Sequence, residues 1–278
     1  MASMRRPPIG EQGARPTHSG VPFSGQPLGM EATEWQLRCE LAACYRLADM
    51  YGMSDLAGTH ISVRLPGPVD AFLLNPLGTF FDEMTASSLI KVDLEGRVLG
   101  GAAERLNPAG FVIHSAIHMA DHALTCVLHT HTRATIGVGM QADGLLPLTQ
   151  KAIVMQHVTR YHDFEGAALD PGERERIVRD LGPEGRVMFL RNHGALSVGR
   201  TVAEAWAWMY RLEAACRYQV DGLSGGRALH RLPPEIIEHT AAQGRRILGP
   251  GGYAEVGALE WPGLIRKLER EQGSGYRT

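Results

Sequence analysis

The sequence predicts an α/β domain whose strands pair mainly antiparallel. Residues 31–51 place apolar side chains at helical spacing and end at Gly52, which predicts an amphipathic helix. The segments 60–64 and 71–75 alternate or run apolar on either side of a Pro-Gly-Pro turn at 66–68, which predicts a hairpin. The predicted elements thus include both helices and strands, and the short turn of the hairpin indicates antiparallel pairing.

The remaining elements follow in order along the chain. A tight strand pair is predicted at 89–94 and 98–99, and Asn107 with Pro108 predicts a helix start. Apolar runs and helical periodicity then predict strands at 126–131, 152–155 and 187–190, and helices at 171–180, 201–220, 235–248 and 262–271. Loops rich in glycine, proline or polar residues separate them.

The composition argues against several classes of protein. The formal charge is −2 with both signs interspersed, so no basic stripe suits nucleic acid. No run approaches the roughly eighteen apolar residues of a membrane span, and residues 1–29 lack the apolar centre of a signal peptide. Four cysteines without CxxC spacing are expected to be buried free thiols. We therefore expect a cytoplasmic protein without nucleic-acid or membrane partners.

Two histidines alternate along a predicted buried strand. In the segment 126–131, His129 and His131 are two residues apart, so their side chains point to the same face. They could chelate one divalent cation, or they could be polar groups on a half-exposed strand. His193 is a third candidate ligand, because it follows the apolar run 187–190 and precedes a glycine turn. Three neutral histidines with open positions left over favour a catalytic metal over a structural one.

Six short motifs occur in order between about Trp35 and Gly222: His60-Ile61-Ser62-Val63-Arg64, Leu74-Asn75-Pro76-Leu77-Gly78, Thr85-Ala86-Ser87-Ser88-Leu89, Leu128-His129-Thr130-His131, Gly144-Leu145-Leu146-Pro147 and Leu190-Arg191-Asn192-His193-Gly194. Their residues and order resemble the class II aldolase/adducin family, most closely its adducin-like branch. The resemblance implies a three-layer α/β/α class II aldolase-like domain with a central, mainly antiparallel sheet. It also implies a homotetramer with active sites at subunit interfaces, and a divalent metal held by three histidines, here His129, His131 and His193.

The resemblance also sets the expected domain boundaries. Residues 1–29, rich in Pro, Gly, Ser and Arg, are expected to form a flexible N-terminal arm. Residues 30–225 are expected to form the class II aldolase/adducin-like catalytic domain. Residues 226–278, which follow a glycine-rich break, are expected to form a C-terminal helical extension.

The chain departs from the sugar-phosphate aldolases and epimerases of this family at one motif. Those relatives carry Pro-Ser-Ser-Glu four residues ahead of a histidine, whereas this chain, counted back from His114, has Asn107-Pro108-Ala109-Gly110. The serines that help bind phosphate and the glutamate that works as acid/base are both missing, so a phosphorylated sugar is not expected as substrate. Glu104 lies close by but precedes the helix start, and we do not expect it to replace that glutamate.

An Fe(II) oxygenase is the first of three functions that the histidine set leaves open. Three imidazoles leave the ion its full formal charge and enough open positions for a chelating 2-oxo or 2-hydroxy acid together with dioxygen, although a triad with one carboxylate is the commoner iron site. The chain looks like the bacterial non-haem iron oxygenases of this family, which oxidatively decarboxylate aromatic 2-oxo acids in aminocoumarin antibiotic pathways. We therefore expect Fe(II) as cofactor, and an aromatic acid and dioxygen as partners.

Two other classes of protein stay open. A redox-neutral Zn(II) or Mn(II) aldolase or decarboxylase of an unphosphorylated acid would need a proton donor, for which His157, Tyr161 and His162 qualify by residue type. The adducins of this family keep the domain as an assembly module of the membrane skeleton, which would make the protein non-catalytic. The lack of a long basic tail and the intact histidine set argue against that reading.

Two residues are expected to bind substrate. His60 stands where many family members place an asparagine that touches substrate, and Arg133 directly follows the histidine strand with a guanidinium that suits carboxylate binding. His114, His118 and His122 share one helix face, which favours a polar or interface face over a second metal site. The glycine-rich pieces lack the spacing of a nucleotide-binding motif, so no nucleotide cofactor is expected.

Overall fold

The structure is a computed structural model that describes residues 26, 29–101, 106–166, 170, 172–249, 252 and 255–278. The arm predicted at 1–29 lies almost wholly outside these residues, and Glu104 lies outside them too. In the part of the chain that is described, one sheet of eight strands carries helices on both of its faces.

The strands are β1 His60–Leu65, β2 Ala71–Leu74, β3 Ile90–Asp93, β4 Val98–Gly100, β5 Cys126–Thr130, β6 Thr159–His162, β7 Val187–Leu190 and β8 Gly194–Gly199. They lie side by side in the order β4-β3-β2-β1-β5-β8-β7-β6. All neighbouring strands are antiparallel except β6 and β7, which are parallel. The mainly antiparallel central sheet predicted from the sequence is therefore confirmed.

The α-helices are α1 Ala32–Met50, α2 Pro108–Ala120, α3 Arg133–Gly139, α4 Gln150–Met155, α5 Glu173–Leu181, α6 Val202–Ser224, α7 Pro234–Leu248 and α8 Trp261–Gln272. As predicted, Asn107 caps α2 and Pro108 occupies its first turn. Within the described ranges, no helix combines the length and the apolar character needed to cross a membrane.

The sheet separates two apolar layers. On one face, Ile61, Val63 and Leu128 belong to the largest core cluster, to which α1, α3, α4, α6 and α8 contribute. On the other face, Val127 and Met188 pack with apolar residues of α2 and α5. Because successive residues of a strand point to opposite faces, the central strands are buried on both sides. The three-layer α/β/α architecture expected from the sequence is confirmed.

Some elements differ from the sequence prediction. Residues 152–155 were expected to form a strand but belong to α4, which Thr149 caps by accepting a hydrogen bond from the Ala152 amide over 3.3 Å. A short apolar run does not distinguish a buried strand from a buried helical turn. The sequence did not predict β6, β8 or α3, because polar residues or glycines interrupt their apolar patterns.

The C-terminal segment shares the core of the main domain. Trp261 and Leu268 of α8 are fully buried in the largest cluster. The amide of Ala86 donates a hydrogen bond to the carbonyl of Tyr276 over 2.8 Å. The boundary at 225–226 therefore stays a prediction, since the helices after it share buried contacts with the residues before it.

Candidate metal centre

Two neighbouring strands bring three histidines together. His129 lies on β5 and His131 directly follows it, while His193 lies in the tight turn that joins β7 to β8. Because β8 pairs with β5, with Leu196 opposite His129, that turn folds back over the end of β5. One nitrogen from each ring lies within 4.8 Å of the other two, in a group that could hold a metal ion.

Hydrogen bonds to the outer nitrogens fix how two of these rings face the centre. Nδ1 of His129 lies 3.0 Å from the Ala195 carbonyl oxygen, and Nδ1 of His131 lies 3.0 Å from a carboxylate oxygen of Asp55. Both partners can only accept, so both Nδ1 atoms carry the proton. A neutral ring of this form has its lone pair on Nε2, and such outer partners are typical of metal-binding histidines.

The inner nitrogens of the two rings converge. Nε2 of His129 lies 2.9 Å from Nε2 of His131. Two lone pairs at this distance repel each other unless a proton or a metal ion lies between them. Because the ring of His193 also turns towards this point, with its centroid 4.8 Å from that of His131, the donor set fits a divalent cation.

Burial keeps the imidazoles of His129 and His193 in the form that binds metal. It lowers the pKa of His193 to about 4, and repulsion from His131 acts in the same direction. Burial is also the main reason that the pKa of His129 lies well below its usual value. A metal ion displaces no proton from a neutral imidazole, so neutral rings bind it without competition near pH 7.

A pocket of about 410 Å³ opens beside the histidines, which is a suitable size for a small-molecule ligand. Its walls include two of the three histidines and one exposed aromatic ring, and its lining residues are Gly58, His60, Asn107, Ala109, Ile113, His131, Phe164, Gly166, Asn192 and His193. Within the described residues, this lining contains no lysine, arginine or carboxylate. The pocket can therefore place a small molecule against the triad without any charged side chain in its lining.

The structure places His60 in the lining of this pocket, and its role in substrate binding stays a prediction. On β1 it pairs with His129 of β5, and the two ring centroids lie 4.8 Å apart. Its Nδ1 atom lies 2.7 Å from Nε2 of His114 on α2, a residue that is not part of the pocket lining. The lack of a side chain at Gly110 leaves space for the ring of His60. A β-carbon at position 110 would lie 3.0 Å from Cδ2 of His60.

The other residues predicted to act in the site do not line the pocket of this chain. Arg133 is exposed in the first turn of α3, and His157 lies half-buried just before β6. The hydroxyl of Tyr161 accepts a hydrogen bond from the Leu145 amide over 2.8 Å, and its ring stacks on Phe189. Their assignment to catalysis or substrate binding stays a prediction.

Two of the three histidines expected on one face of α2 lie on it. His114 and His118 share a polar helix face that is fully buried against β1. The helix ends at Ala120, so His122 lies beyond it. The helical periodicity was correct, and polar residues also alternate along β1, but local patterns do not show that this strand face packs against α2.

Sequence reasoning missed two residues of the site. Asp55 lies in a loop between α1 and β1, and nothing in its local pattern indicates that it reaches His131. Asn192 lines the pocket with a φ of 60°, in the left-handed region that asparagine tolerates better than most residues. The dipeptide Asn-His before a glycine was the one available signal for this turn.

Comparison with known proteins identifies the family. A sequence model described as "Class II Aldolase and Adducin N-terminal domain" matches residues 39–220. The chain belongs to the class II aldolase/adducin family. A protein of Caulobacter vibrioides whose name refers to aldolase class 2 is 49% identical over 243 residues, which cover 87% of this chain and 92% of that protein. Alpha-adducin of Rattus norvegicus is 38% identical over 251 residues, which cover 87% of this chain but 34% of adducin.

A solved structure of this family has the same fold. The aldolase II superfamily protein from Pseudomonas syringae superposes with a TM-score of 0.84 at 46% identity, covering 90% of this chain and 98% of that one. Class II aldolases use a divalent metal, typically zinc, and act on small-molecule substrates. The class II aldolase-like fold and the histidine group are thus consistent with a metal-dependent lyase.

Proposed function

We propose that the protein is a divalent-metal-dependent lyase that cleaves a carbon–carbon bond next to a carbonyl or carboxylate group of an unphosphorylated acid. In this proposal His129, His131 and His193 hold the ion. The observation that carries it is the approach of the Nε2 atoms of His129 and His131 to 2.9 Å, beside the ring of His193. Membership of the class II aldolase/adducin family supports the reaction class.

An unphosphorylated substrate is supported by the first turn of α2. The side-chain oxygen of Asn107 accepts hydrogen bonds from the amides of Ala109 and Gly110 over 3.1 and 3.3 Å. Amides that already have an acceptor are not available to a phosphate group. No lysine or arginine stands among the described lining residues to balance a phosphate dianion. The pocket therefore suits a substrate whose negative charge is carried by a carboxylate and met by the metal.

The proposal gives the residues of the pocket distinct tasks. When bound, a divalent ion would polarise the substrate carbonyl and stabilise negative charge that develops on its oxygen. His60 lies next to His129 and contacts the substrate from the β1 side. Phe164 offers an apolar wall for the organic part of the substrate. No task is assigned to Arg133, His157 or Tyr161, since none of them lines the pocket.

An Fe(II) oxygenase is the second candidate function. The group that could hold the ion contains three imidazoles and no carboxylate, which leaves the charge of an iron site to be balanced by the substrate. In this version the protein oxidatively decarboxylates an aromatic 2-oxo or 2-hydroxy acid with dioxygen, as in aminocoumarin-type antibiotic biosynthesis. The exposed ring of Phe164 at the pocket would suit an aromatic substrate.

One experiment separates these functions. The protein is purified without oxygen, its metal content is measured, and turnover of 2-hydroxy and 2-oxo acids is followed with and without oxygen. Anaerobic turnover with Zn(II) or Mn(II) is expected for the lyase. Oxygen uptake that requires Fe(II) would instead favour the oxygenase. A protein that holds no metal and turns over no acid would overturn both and favour an adducin-like assembly module.

A variant tests the metal ligands themselves. His193→Ala is expected to lose bound metal while the fold survives, because His193 lies in the turn between β7 and β8 and belongs to neither strand. His230→Ala is the matched control, since His230 is exposed in the segment between α6 and α7. Equal metal content in His193→Ala and the control would refute the assignment of the ligands.

The proposal includes a cytoplasmic homotetramer. The four cysteines are free and buried, as expected for a protein that folds in a reducing compartment. Light scattering on the purified protein measures the assembly, and a mass of one chain would overturn the tetramer.

A further inference from the structure

A row of hydrogen-bonded side chains runs between β1 and α2 and ends at the pocket. Nδ1 of His60 lies 2.7 Å from Nε2 of His114, whose Nδ1 lies 2.5 Å from the hydroxyl oxygen of Ser62. The same hydroxyl lies 2.7 Å from Nε2 of His118. Nδ1 of His118 lies 3.3 Å from the carbonyl oxygen of Leu124, where the row ends. All four side chains are buried.

The carbonyl group of Leu124 sets the direction of the two hydrogen bonds nearest to it. A carbonyl oxygen can only accept, so His118 donates to Leu124 from Nδ1. Burial lowers the pKa of His118 to about 3, so the ring carries a single proton and its Nε2 is an acceptor. Ser62 has one hydroxyl proton, which it therefore donates to His118.

The same reasoning continues to the pocket. Because Ser62 has given its proton to His118, its oxygen accepts from Nδ1–H of His114. His114 is fully buried, and burial holds its pKa well below the usual value, so its Nε2 carries a lone pair. That lone pair accepts from Nδ1 of His60. In every hydrogen bond of the row, the donor is thus the partner nearer the pocket and the acceptor is the partner nearer Leu124.

We infer that this row locks His60 as the Nδ1–H tautomer, so that its bare Nε2 faces the pocket and accepts a hydrogen bond from a hydroxyl group of the substrate. Ser62, His114 and His118 are positioning residues, because they act on the substrate only through His60. The inference deepens the proposed function and rests on it for the presence of a substrate beside the triad. It adds the chemistry of the substrate, which the proposed function leaves open between an oxo acid and a hydroxy acid.

The geometry around His60 supports a free acceptor at this place. His60 lines the pocket, and none of the described residues forms a hydrogen bond with its Nε2. Asn107, which also lines the pocket, already uses its side-chain oxygen to cap α2. A lone pair here attracts a hydroxyl group and repels the oxygen of an oxo group, since a carbonyl has no proton to donate. A 2- or 3-hydroxy acid therefore fits better than a 2-oxo acid.

Histidine tautomers can be read directly in the wild-type protein. Long-range proton–nitrogen correlation spectra of protein with nitrogen-15 histidine distinguish protonated from bare ring nitrogens, and the His60→Gln variant identifies the signals of His60. We expect His60 to be protonated at Nδ1 and bare at Nε2, in the metal-free and the Zn(II)-loaded protein alike. Protonation at Nε2, or a Nε2 signal typical of zinc coordination, would overturn the inference.

Two variants of Ser62 test the row. Ser62→Ala removes the hydroxyl that sets the direction, so the Nε2–H form of His60 should become detectable while exposed His230 keeps its spectrum. Ser62→Thr keeps the hydroxyl and should restore the wild-type tautomer. An unchanged His60 spectrum in Ser62→Ala would show that the row does not position this ring.

Small acids test the proposed acceptor. L-lactate and propionate differ by one hydroxyl group, and each is titrated into the Zn(II)-loaded protein. Lactate should move the Nε2 signal of His60 towards that of a hydrogen-bonded nitrogen, and propionate should not. Equal changes with both acids, or none with either, would overturn the acceptor role. None of these measurements needs turnover, so the inference can fail while the proposed lyase stands, and the reverse.

Discussion

Asp55 lies 3.0 Å from Nδ1 of His131 and is a side-chain partner of the candidate ligands, whereas His129 uses the backbone carbonyl of Ala195. A substitution of Asp55 therefore removes its contact with His131, whereas no substitution removes the carbonyl group of Ala195. Asp55→Ala should lower Zn(II) affinity roughly 10- to 100-fold, because the ring of His131 loses the group that fixes its tautomer. Competition with a chromophoric chelator measures the affinity. Asp221→Ala, an exposed site near the end of α6, should bind zinc as the wild type does.

Gly194 is confined between the strand end and the rings of the triad. A β-carbon at this position would lie 2.5 Å from the carbonyl oxygen of Thr130 and 2.9 Å from Cδ2 of His131. Gly194→Ala should therefore displace the turn that carries His193, lose most bound metal, and cost about 1–3 kcal/mol of unfolding free energy through overpacking. Metal content after dialysis and urea unfolding measure both effects.

The control for this substitution is Gly225→Ala. Gly225 has a φ of −76° and no atom within 4 Å of an added β-carbon. The Gly225→Ala variant should keep the metal content and the unfolding free energy of the wild type. Equal losses of metal in the two variants would contradict the steric explanation.

Asn192 holds a left-handed backbone conformation next to a candidate ligand, with a φ of 60°. Asn192→Ala should reduce the unfolding free energy by about 1–2 kcal/mol, since alanine pays the steric cost of this region. Asn192→Gly should retain or exceed the stability of the alanine variant, because glycine adopts positive φ freely. Urea unfolding of both variants measures the difference, and a glycine variant less stable than the alanine one would show that the side chain of Asn192, not its backbone, supports the turn.

His118 makes stability depend on pH. Burial, with a further contribution from the charge of Arg64, lowers its pKa to about 3 in the folded protein. The unfolded chain has a pKa of about 6.5 for this group and so binds more protons between these two values. Unfolding free energy should thus fall as pH decreases below about 6.5, by up to about 1.4 kcal/mol per pH unit for this residue.

The variant His118→Gln isolates this contribution. It removes the titrating group, so its unfolding free energy should fall less steeply than that of the wild type between about pH 6.5 and pH 5. Urea unfolding at a series of pH values gives the two slopes. Identical slopes would mean that His118 is not held neutral in the folded protein.

The three candidate ligand histidines could be identified from the sequence, while the residues that orient them could not. Alternation along one strand predicted that His129 and His131 share a face, and the apolar run before His193 predicted another strand end. Which strand ends meet depends on pairing between β5 and β8, and β8 itself was not apparent because its pattern is interrupted by glycine and serine. The six motifs supplied that pairing through the family resemblance instead.

Contacts between distant elements could not be predicted in the same way. His60 and Ser62 lie on β1, and His114 and His118 lie more than fifty residues later on α2. Local periodicity places each residue on a face of its own element, but it does not say which faces meet. The prediction of a strand at 152–155 was wrong for a related reason, since this short apolar pattern fits either a strand or a turn of helix.

The imidazole of His60 occupies the volume into which a side chain at position 110 would project. A β-carbon at 110 would lie 3.0 Å from Cδ2 of His60, so a larger side chain there requires this ring to shift. Across the family the two positions should covary, with a small residue at 110 wherever a ring stands at 60. A glutamate introduced at 110 alone would therefore disturb the ring of His60, whereas a smaller residue at 60 would first make room for it.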